Sequence, residues 1–307
     1  MRLMTFRVDG DLHAGLLDGD HVIDLSSAVT GLPADQGHAG PSVKTLVALG
    51  ADARDAIATR ARERFSEDPE GTSRPLSSVV LEAPITDPDK IICLGLNYQE
   101  HAEEFGEARP VAPILFAKFR NALCGAGGAI VLPRDSVEID YEGELAVVIG
   151  RECRDVSQEE AIDCIAGVMP FNDVTARDLQ FLTGQWLPGK MIDGFAPCGP
   201  FLVTLDEIGD LQDLTITTRL NGEVMQQEST SKMIFSVAQT IAYLSNLVTL
   251  TPGDIVATGT PSGVGFKREP PRYLLSGDTI EVDISTVGTL ANSVRGAMRA
   301  DPVVSTP

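Results

Sequence analysis

The stretch Asp140-Tyr141-Glu142-Gly143-Glu144-Leu145-Ala146-Val147 lies where a half-polar strand pattern becomes apolar on both faces. From Glu138 to Glu144 every even position is acidic (Glu138, Asp140, Glu142, Glu144), while Val137, Ile139 and Tyr141 take the odd ones. Alternate side chains of a strand share a face, so the four carboxylates are expected as a single row. Beyond them Ala146-Val147-Val148-Ile149 is apolar throughout, the pattern of a strand passing into a core. Carboxylates carried to such a place repel one another and are costly to desolvate unless a cation accompanies them. A solvated strand face is the plain alternative, which Gly143 and the apolar continuation weaken. Oxygen donors with no His or Cys beside them favour Mg²⁺, Mn²⁺ or Ca²⁺ over Zn²⁺.

Working outward, strand patterns recur at Ile91–Leu94, Ile114–Phe119, Val137–Ile149, Leu214–Leu220 and Ile280–Ile284. Asn221-Gly222 marks a hairpin to Glu223–Gln226. Ser157-Gln-Glu-Glu160 is a capping box opening a helix to about Ile165, and a second helix is expected over Met233 to Leu244. Strands and helices do not alternate regularly, which argues against a doubly wound parallel sheet. The expected class is α+β, mostly β: a rolled, largely antiparallel sheet structure with peripheral helices.

Toward the N-terminus, runs at Leu3–Val8, Leu12–Leu17 and His21–Leu25 are divided by Asp9-Gly10-Asp11 and Asp18-Gly19-Asp20, hairpin signals of a small meander. Helical spacing follows from about Val43 to Phe65, interrupted near Gly50, and then a turn-rich stretch from Ser66 to Pro75. These features predict a small α+β domain over residues 1–85 and a larger one over 86–307.

The net charge of −20 over 307 residues leaves no basic stripe for nucleic acid. An anionic substrate therefore needs a local cation or converging Lys and Arg. Five cysteines with no C-x-x-C pair read as reduced thiols, and no long apolar span or signal segment is visible. The expectation is a cytoplasmic protein that does not engage a membrane.

A third carboxylate for the cation is sought at Asp173, in Pro170-Phe-Asn-Asp-Val-Thr-Ala-Arg-Asp-Leu-Gln180. Asp173 reads equally as part of the turn, with Thr175 capping a short helix and Asp178 at its third position. His101, with no histidine after it, precedes Glu104 by three residues and shares its face if the segment is helical. A carboxylate beside imidazole orients the ring for general-base work, although such pairs are also common on surfaces. Lys190, in Gln185-Trp-Leu-Pro-Gly-Lys-Met191, is either a plain surface lysine or the positive group an anion needs. Asp254-Ile-Val-Ala-Thr-Gly-Thr-Pro-Ser-Gly-Val-Gly265 ends a strand in a glycine-rich loop offering hydroxyls and amides. It lacks the Gly-Lys-Ser/Thr ending of a phosphate-binding P-loop.

Five segments, in this order, resemble the fumarylacetoacetate hydrolase family: Gly95-Leu-Asn-Tyr-Gln-Glu-His, Tyr141-Glu-Gly-Glu-Leu, Asn172-Asp-Val-Thr-Ala-Arg-Asp-Leu-Gln, Trp186-Leu-Pro-Gly-Lys and Thr258-Gly-Thr-Pro-Ser-Gly-Val-Gly. The resemblance spans about Lys90 to Gly296, and residues 1–85 look like the extra domain of the longer two-domain members. It implies a rolled mixed β-sandwich, usually a homodimer, holding a divalent ion, Mg²⁺ first. Carried over residue by residue, it puts the metal on Glu142, Glu144 and Asp173, which leaves Glu138 and Asp140 of the acidic row towards the strand's exposed start. The His–Glu dyad falls on His101 and Glu104, the active-site lysine on Lys190, and the substrate's keto-acid surroundings on Lys118, Arg177, Gln180 and Thr260. The implied reaction is hydrolysis of a C–C bond in an acylpyruvate-like or 2,4-dioxo acid, releasing a pyruvate enolate. Decarboxylation of oxaloacetate and isomerisation or hydration of a hydroxydienoate use the same enolate chemistry and stand as alternatives. A metal-dependent binding protein without turnover is the reading from another class. The substrate's distal half is expected to meet Phe105–Ala112 and Phe181–Trp186.

Overall fold

The computed structural model describes residues 1–29 and 31–297; the end of the region expected to run over 86–307 lies outside them from residue 298. An 11-stranded sheet dominates, and Gly143–Ile149 lies deep within it. This strand pairs antiparallel with Ile165–Asn172 on one side and with Ile255–Ala257 on the other. Its two faces feed two separate cores. Leu145, Val147 and Ile149 pack with Ile216, Val282 and Leu290 of a second, five-stranded sheet and with Ile241 and Leu244 of the helix Val237–Leu247. Ala146 and Val148 pack instead with Leu46 and Ala61 of the helices Val43–Ala48 and Ala51–Glu67. A strand buried on both faces must be apolar at every position, which explains the unbroken Ala146–Ile149 run.

The expected meander is present as Arg2–Val8, Asp11–Asp18 and His21–Asp24, with two-residue turns at Asp9-Gly10 and Gly19-Asp20. Asp9 and Gly10 both have positive φ (49° and 101°), the geometry that Asp-Gly supplies cheaply. Arg2–Val8 also pairs with Leu202–Thr204, so the large sheet runs without a break across residue 85. The second sheet holds the Asn221-Gly222 hairpin between Thr215–Leu220 and Glu223–Ser229. Both sheets are antiparallel except at Ile255–Ala257 beside Ile91–Gly95 and Gly288–Arg295 beside Ala129–Val131.

Three expectations need correction. The strand expected over Val137–Ile149 is broken at Tyr141-Glu142: Ile139–Asp140 pairs with Thr175–Ala176 in a small sheet of its own. The acidic row is therefore split, and Asp140, expected at an exposed strand start with Glu138, is fully buried. The second helix begins at Val237, four residues later than expected, because Ser236 and Gln239 form a capping box. Finally, Thr175 does not cap the helix Arg177–Gln180; its hydroxyl donates to the Asp173 carbonyl, and Asp178 accepts from Ser136 and Val137.

Candidate active site and metal centre

Strand register assembles the carboxylates. Gly143 lies opposite Asn172 in the antiparallel pair, so the next residues outward, Glu142 and Asp173, face each other where the two strands end. The Asp173 amide donates to the Glu142 carbonyl at 2.9 Å, and Asn172 Oδ1 accepts from the Glu142 amide at 3.0 Å. Glu142, Glu144 and Asp173 are all buried, and each offers a carboxylate oxygen within 4.8 Å of the others.

The parallel strands Ile91–Gly95 and Ile255–Ala257 end at the same place, and their following loops wrap the cluster. After the latter, the Gly259 amide donates to Glu144 Oε2 at 2.8 Å, and Thr260 Oγ1 donates to the Gly143 carbonyl at 2.9 Å. Gly259 has φ +95°, and a Cβ there would come within 2.8 Å of Asn97. After Ile91–Gly95 the chain enters the short helix Gln99–Glu104, which carries the dyad. His101 Nδ1 lies 2.9 Å from Glu104 Oε2, and Glu104 Oε1 accepts from the Gly263 amide at 3.1 Å. His101 is buried, so the pair is not an ordinary surface contact.

Lys190, 1% exposed, is no surface lysine: its Nζ lies 2.9 Å from Glu142 Oε2 and 2.7 Å from Asp173 Oδ2. Arg177 donates through Nε to Asp140, lies within ion-pair distance of Glu142 Oε1 (2.7 Å), and donates to Gln180 Oε1 at 3.0 Å. Lys118 is placed behind the cluster. Its Nζ donates to the carbonyls of Val174, Lys190 and Phe195 and stands 2.7 Å from Asp173 Oδ1.

These contacts set the electrostatics. Burial alone would raise Glu142, but Lys190 and Arg177 outweigh it and hold its carboxyl well below the usual range. Glu144 has no such cation, and burial, then Asp173 and Glu142, push its pKa well above the ordinary value. Its Oε1 is buried with no hydrogen-bond partner. Burial is outweighed at Lys190 by Asp173 and Glu142, which raise it, whereas at Lys118 burial prevails and lowers it. An orphaned carboxylate oxygen facing two further carboxylates fits a hard divalent cation, with Glu142, Glu144 and Asp173 as its protein ligands.

A cavity of about 200 Å³ opens onto this cluster, lined by His101, Glu142, Arg177, Gln180, Lys190 and Thr260 among others. Its outer wall is apolar: Phe105, Phe116, Phe181 and Trp186, with Glu107 beside them. Trp186 packs so closely on Gly95 that a Cβ there would lie 2.5 Å from the indole. Of the expected site residues, all but Lys118, Glu104, Glu144 and Asp173 line the cavity; Glu104, Glu144 and Asp173 stand directly behind lining groups, and Lys118 stands behind Asp173. Sequence reasoning missed two buried residues. Gln226 accepts from the Gly143 amide (3.0 Å) and donates to Thr260 Oγ1 (2.7 Å), which in turn holds the Gly143 carbonyl, so both backbone groups of the residue between Glu142 and Glu144 are fixed. Asp140 anchors Arg177. Gln226 sits in a strand that carries no motif, and only its burial identifies it; Asp140 was visible in the acidic row but assigned to solvent.

Residues 90–295 match the family described as fumarylacetoacetate (FAA) hydrolase C-terminal. The chain is 40% identical over 299 residues to the oxaloacetate tautomerase Fahd2a, mitochondrial, of Rattus norvegicus, covering 96% of this chain and 91% of that protein. Among solved structures, the fumarylacetoacetate hydrolase of Exiguobacterium antarcticum superposes with a TM-score of 0.80 at 34% identity, covering 96% of this chain and 99% of that one. The maleylpyruvate hydrolase of Sphingobium sp. SYK-6, in complex with manganese(II) and pyruvate, gives a TM-score of 0.76 at 30% identity, covering 97% and 100%. Relatives with these names act as hydrolases and tautomerases on small organic acids, and no described helix is long and apolar enough to cross a membrane. With a matching family profile across two thirds of its length and relatives along nearly all of it, the chain is an enzyme of the fumarylacetoacetate hydrolase family.

Proposed function

We propose that this enzyme interconverts the enol and keto forms of a small 2-oxo acid, with oxaloacetate as the substrate to test first. The observation that carries this reading is the cavity itself. At about 200 Å³ it lies below the usual ~300–1,000 Å³ of ligand pockets, which suits a four-carbon acid better than a long acylpyruvate. The full-length likeness to an oxaloacetate tautomerase supports the same choice. It moves C–C hydrolysis, the first expectation from the motifs, to second place.

A divalent cation, Mg²⁺ or Mn²⁺, held by Glu142, Glu144 and Asp173 would supply Lewis-acid stabilisation of enolate charge. The chain's own groups supply the rest. Ketonisation removes a proton from the C2 hydroxyl and adds one at C3. With Nδ1 committed to Glu104, His101 Nε2 is the atom left to exchange these protons, and the carboxylate fixes the ring's orientation. Lys190, kept charged by Asp173 and Glu142, opposes the negative charge that develops on the substrate's oxygen. Gln180, its Oε1 already taken by Arg177, has its amide N–H groups to offer a substrate carboxylate. The aromatic wall excludes bulk water from this exchange.

Hydrolysis is the second reading, favoured by the dyad, which could equally draw a proton from water, and by the likeness to maleylpyruvate hydrolase. A panel of oxaloacetate, acetylpyruvate, fumarylpyruvate and a 2,4-dioxo sugar acid separates the readings. Metal-dependent acceleration of the oxaloacetate enol-to-keto absorbance change, without pyruvate or CO₂, is expected. Replacing His101 by Asn should lower that rate ~10²–10⁴-fold while leaving Mn²⁺ affinity intact. Pyruvate release from the acylpyruvates alone would establish hydrolysis instead, and CO₂ from oxaloacetate would establish decarboxylation. A homodimer, as the family resemblance implies, is the assembly we propose, to be checked by light scattering.

A further inference from the structure

Asp140 takes no part in the chemistry above, yet it is the most heavily hydrogen-bonded carboxylate around the site. It is fully buried and accepts from Arg177 Nε at 2.9 Å, with Arg177 Nη2 at 2.8 Å. It also accepts from the amides of Gly265 (2.7 Å), Phe266 (3.1 Å) and Tyr141 (2.9 Å). Each side of this hub leads to a different part of the machinery. Through Arg177 it reaches Glu142, because the same Nη2 lies 2.7 Å from Glu142 Oε1. Through Gly265 and Phe266 it reaches the dyad helix. The Phe266 ring stacks on Phe105, immediately after Glu104, with centroids 6.1 Å apart, and Lys267 Nζ sits 4.4 Å over Phe105. In the same loop the Gly263 amide holds Glu104.

We infer that Asp140 is a positioning residue that holds the cation ligand Glu142 and the His101 helix in one register. It acts on Glu142 through Arg177 and on the helix through the 263–267 loop. A guanidinium shared between two buried carboxylates needs both of them for its fork geometry and its charge balance. Without Asp140 the Arg177 fork has one carboxylate partner left and turns fully onto Glu142, competing with a cation for the same oxygen. The loop amides lose their shared acceptor at the same time, so the aromatic contacts between Phe266 and Phe105 loosen.

This inference rests on the cation reading of Glu142, Glu144 and Asp173, and the experiment separates the two. Mn²⁺ alone is titrated into the full chain and free Mn²⁺ is read by electron paramagnetic resonance. If the wild-type chain binds no Mn²⁺, the cation reading fails. If it binds and Asp140→Asn binds equally well, the role of Asp140 fails. The expected result is a dissociation constant ~10–100-fold weaker in Asp140→Asn, the range for groups that orient metal ligands. Arg177→Lys tests the same link should Asp140→Asn not fold, because lysine keeps the charge but cannot span Asp140 and Glu142. It is expected to weaken Mn²⁺ binding at least tenfold, and wild-type affinity in that variant overturns the proposal. Since Asp140 acts through Arg177, Asp140→Asn combined with Arg177→Lys should bind no more weakly than the weaker single variant. Losses that multiply in the double variant also overturn it. Thermal midpoints and circular dichroism accompany each titration, so that an affinity lost through unfolding is not counted as support.

Discussion

Glu144 shows how a single residue reports on what its site is for. Lys190 and Arg177 neutralise Glu142, whereas Glu144 has one amide, an orphaned oxygen and two neighbouring carboxylates. Its folded pKa lies well above the unfolded one. Between those two values the folded chain keeps a proton that the unfolded chain has released, so stability falls as pH rises through that window. Near neutral pH the metal-free enzyme therefore carries a local cost that a cation, or an uncharged side chain, removes. Glu144→Gln is expected to raise the thermal midpoint of the metal-free protein at pH 7–8 by roughly 2–4 °C, the shift that about 1 kcal/mol gives in a large domain. The gain should vanish below about pH 4, where both states are protonated, and Mn²⁺ binding should be lost. A destabilised Glu144→Gln at pH 8, measured by calorimetry with chelator present, would contradict this account.

Among the elements, the site is built from strand ends rather than from any one strand. Antiparallel register sets Asp173 against Glu142, and the parallel neighbours Ile91–Gly95 and Ile255–Ala257 deliver the dyad helix and the Thr258–Thr260 loop to the same edge. Helix boundaries, by contrast, obey local rules. Ser157 and Ser236 both open helices with complete capping boxes, the first legible in its Ser-x-x-Glu spacing and the second, Ser-x-x-Gln, placing the helix start after the expected Met233. The Val237–Leu247 helix buries Ile241 and Leu244 against the core shared by both sheets. Ser236→Ala removes a cap worth ~1 kcal/mol. Denaturant melts are expected to record that loss with turnover unchanged, because no atom of this cap lines the cavity; reduced turnover in the folded variant would tie this helix to the site.

For the molecule as a whole, a cation held by the three carboxylates gathered in one buried place would link metal binding to folding. At 100 times its dissociation constant, Mn²⁺ should stabilise the chain by about 2.7 kcal/mol. That is read as a concentration-dependent rise in thermal midpoint, reversed by chelator and absent in Glu142→Ala. A midpoint indifferent to Mn²⁺ would remove the cation from the account of the fold. The sequence by itself determined the parts whose cause is local or carried by a motif. These are the Asp-Gly and Asn-Gly hairpins, the strand buried on both faces, and the five segments that name the family and hold Glu142, Glu144, Asp173, His101 and Lys190, with Glu104 three residues past His101. Only the tertiary structure decided which groups touch. It broke the acidic row at Tyr141-Glu142, buried Asp140 against Arg177, and placed Lys118 behind Asp173. It also brought Gln226 beneath Thr260. The reason is physical: a hairpin or a cap is fixed by neighbours in sequence, whereas a buried charge goes where a partner distant in the chain can satisfy it.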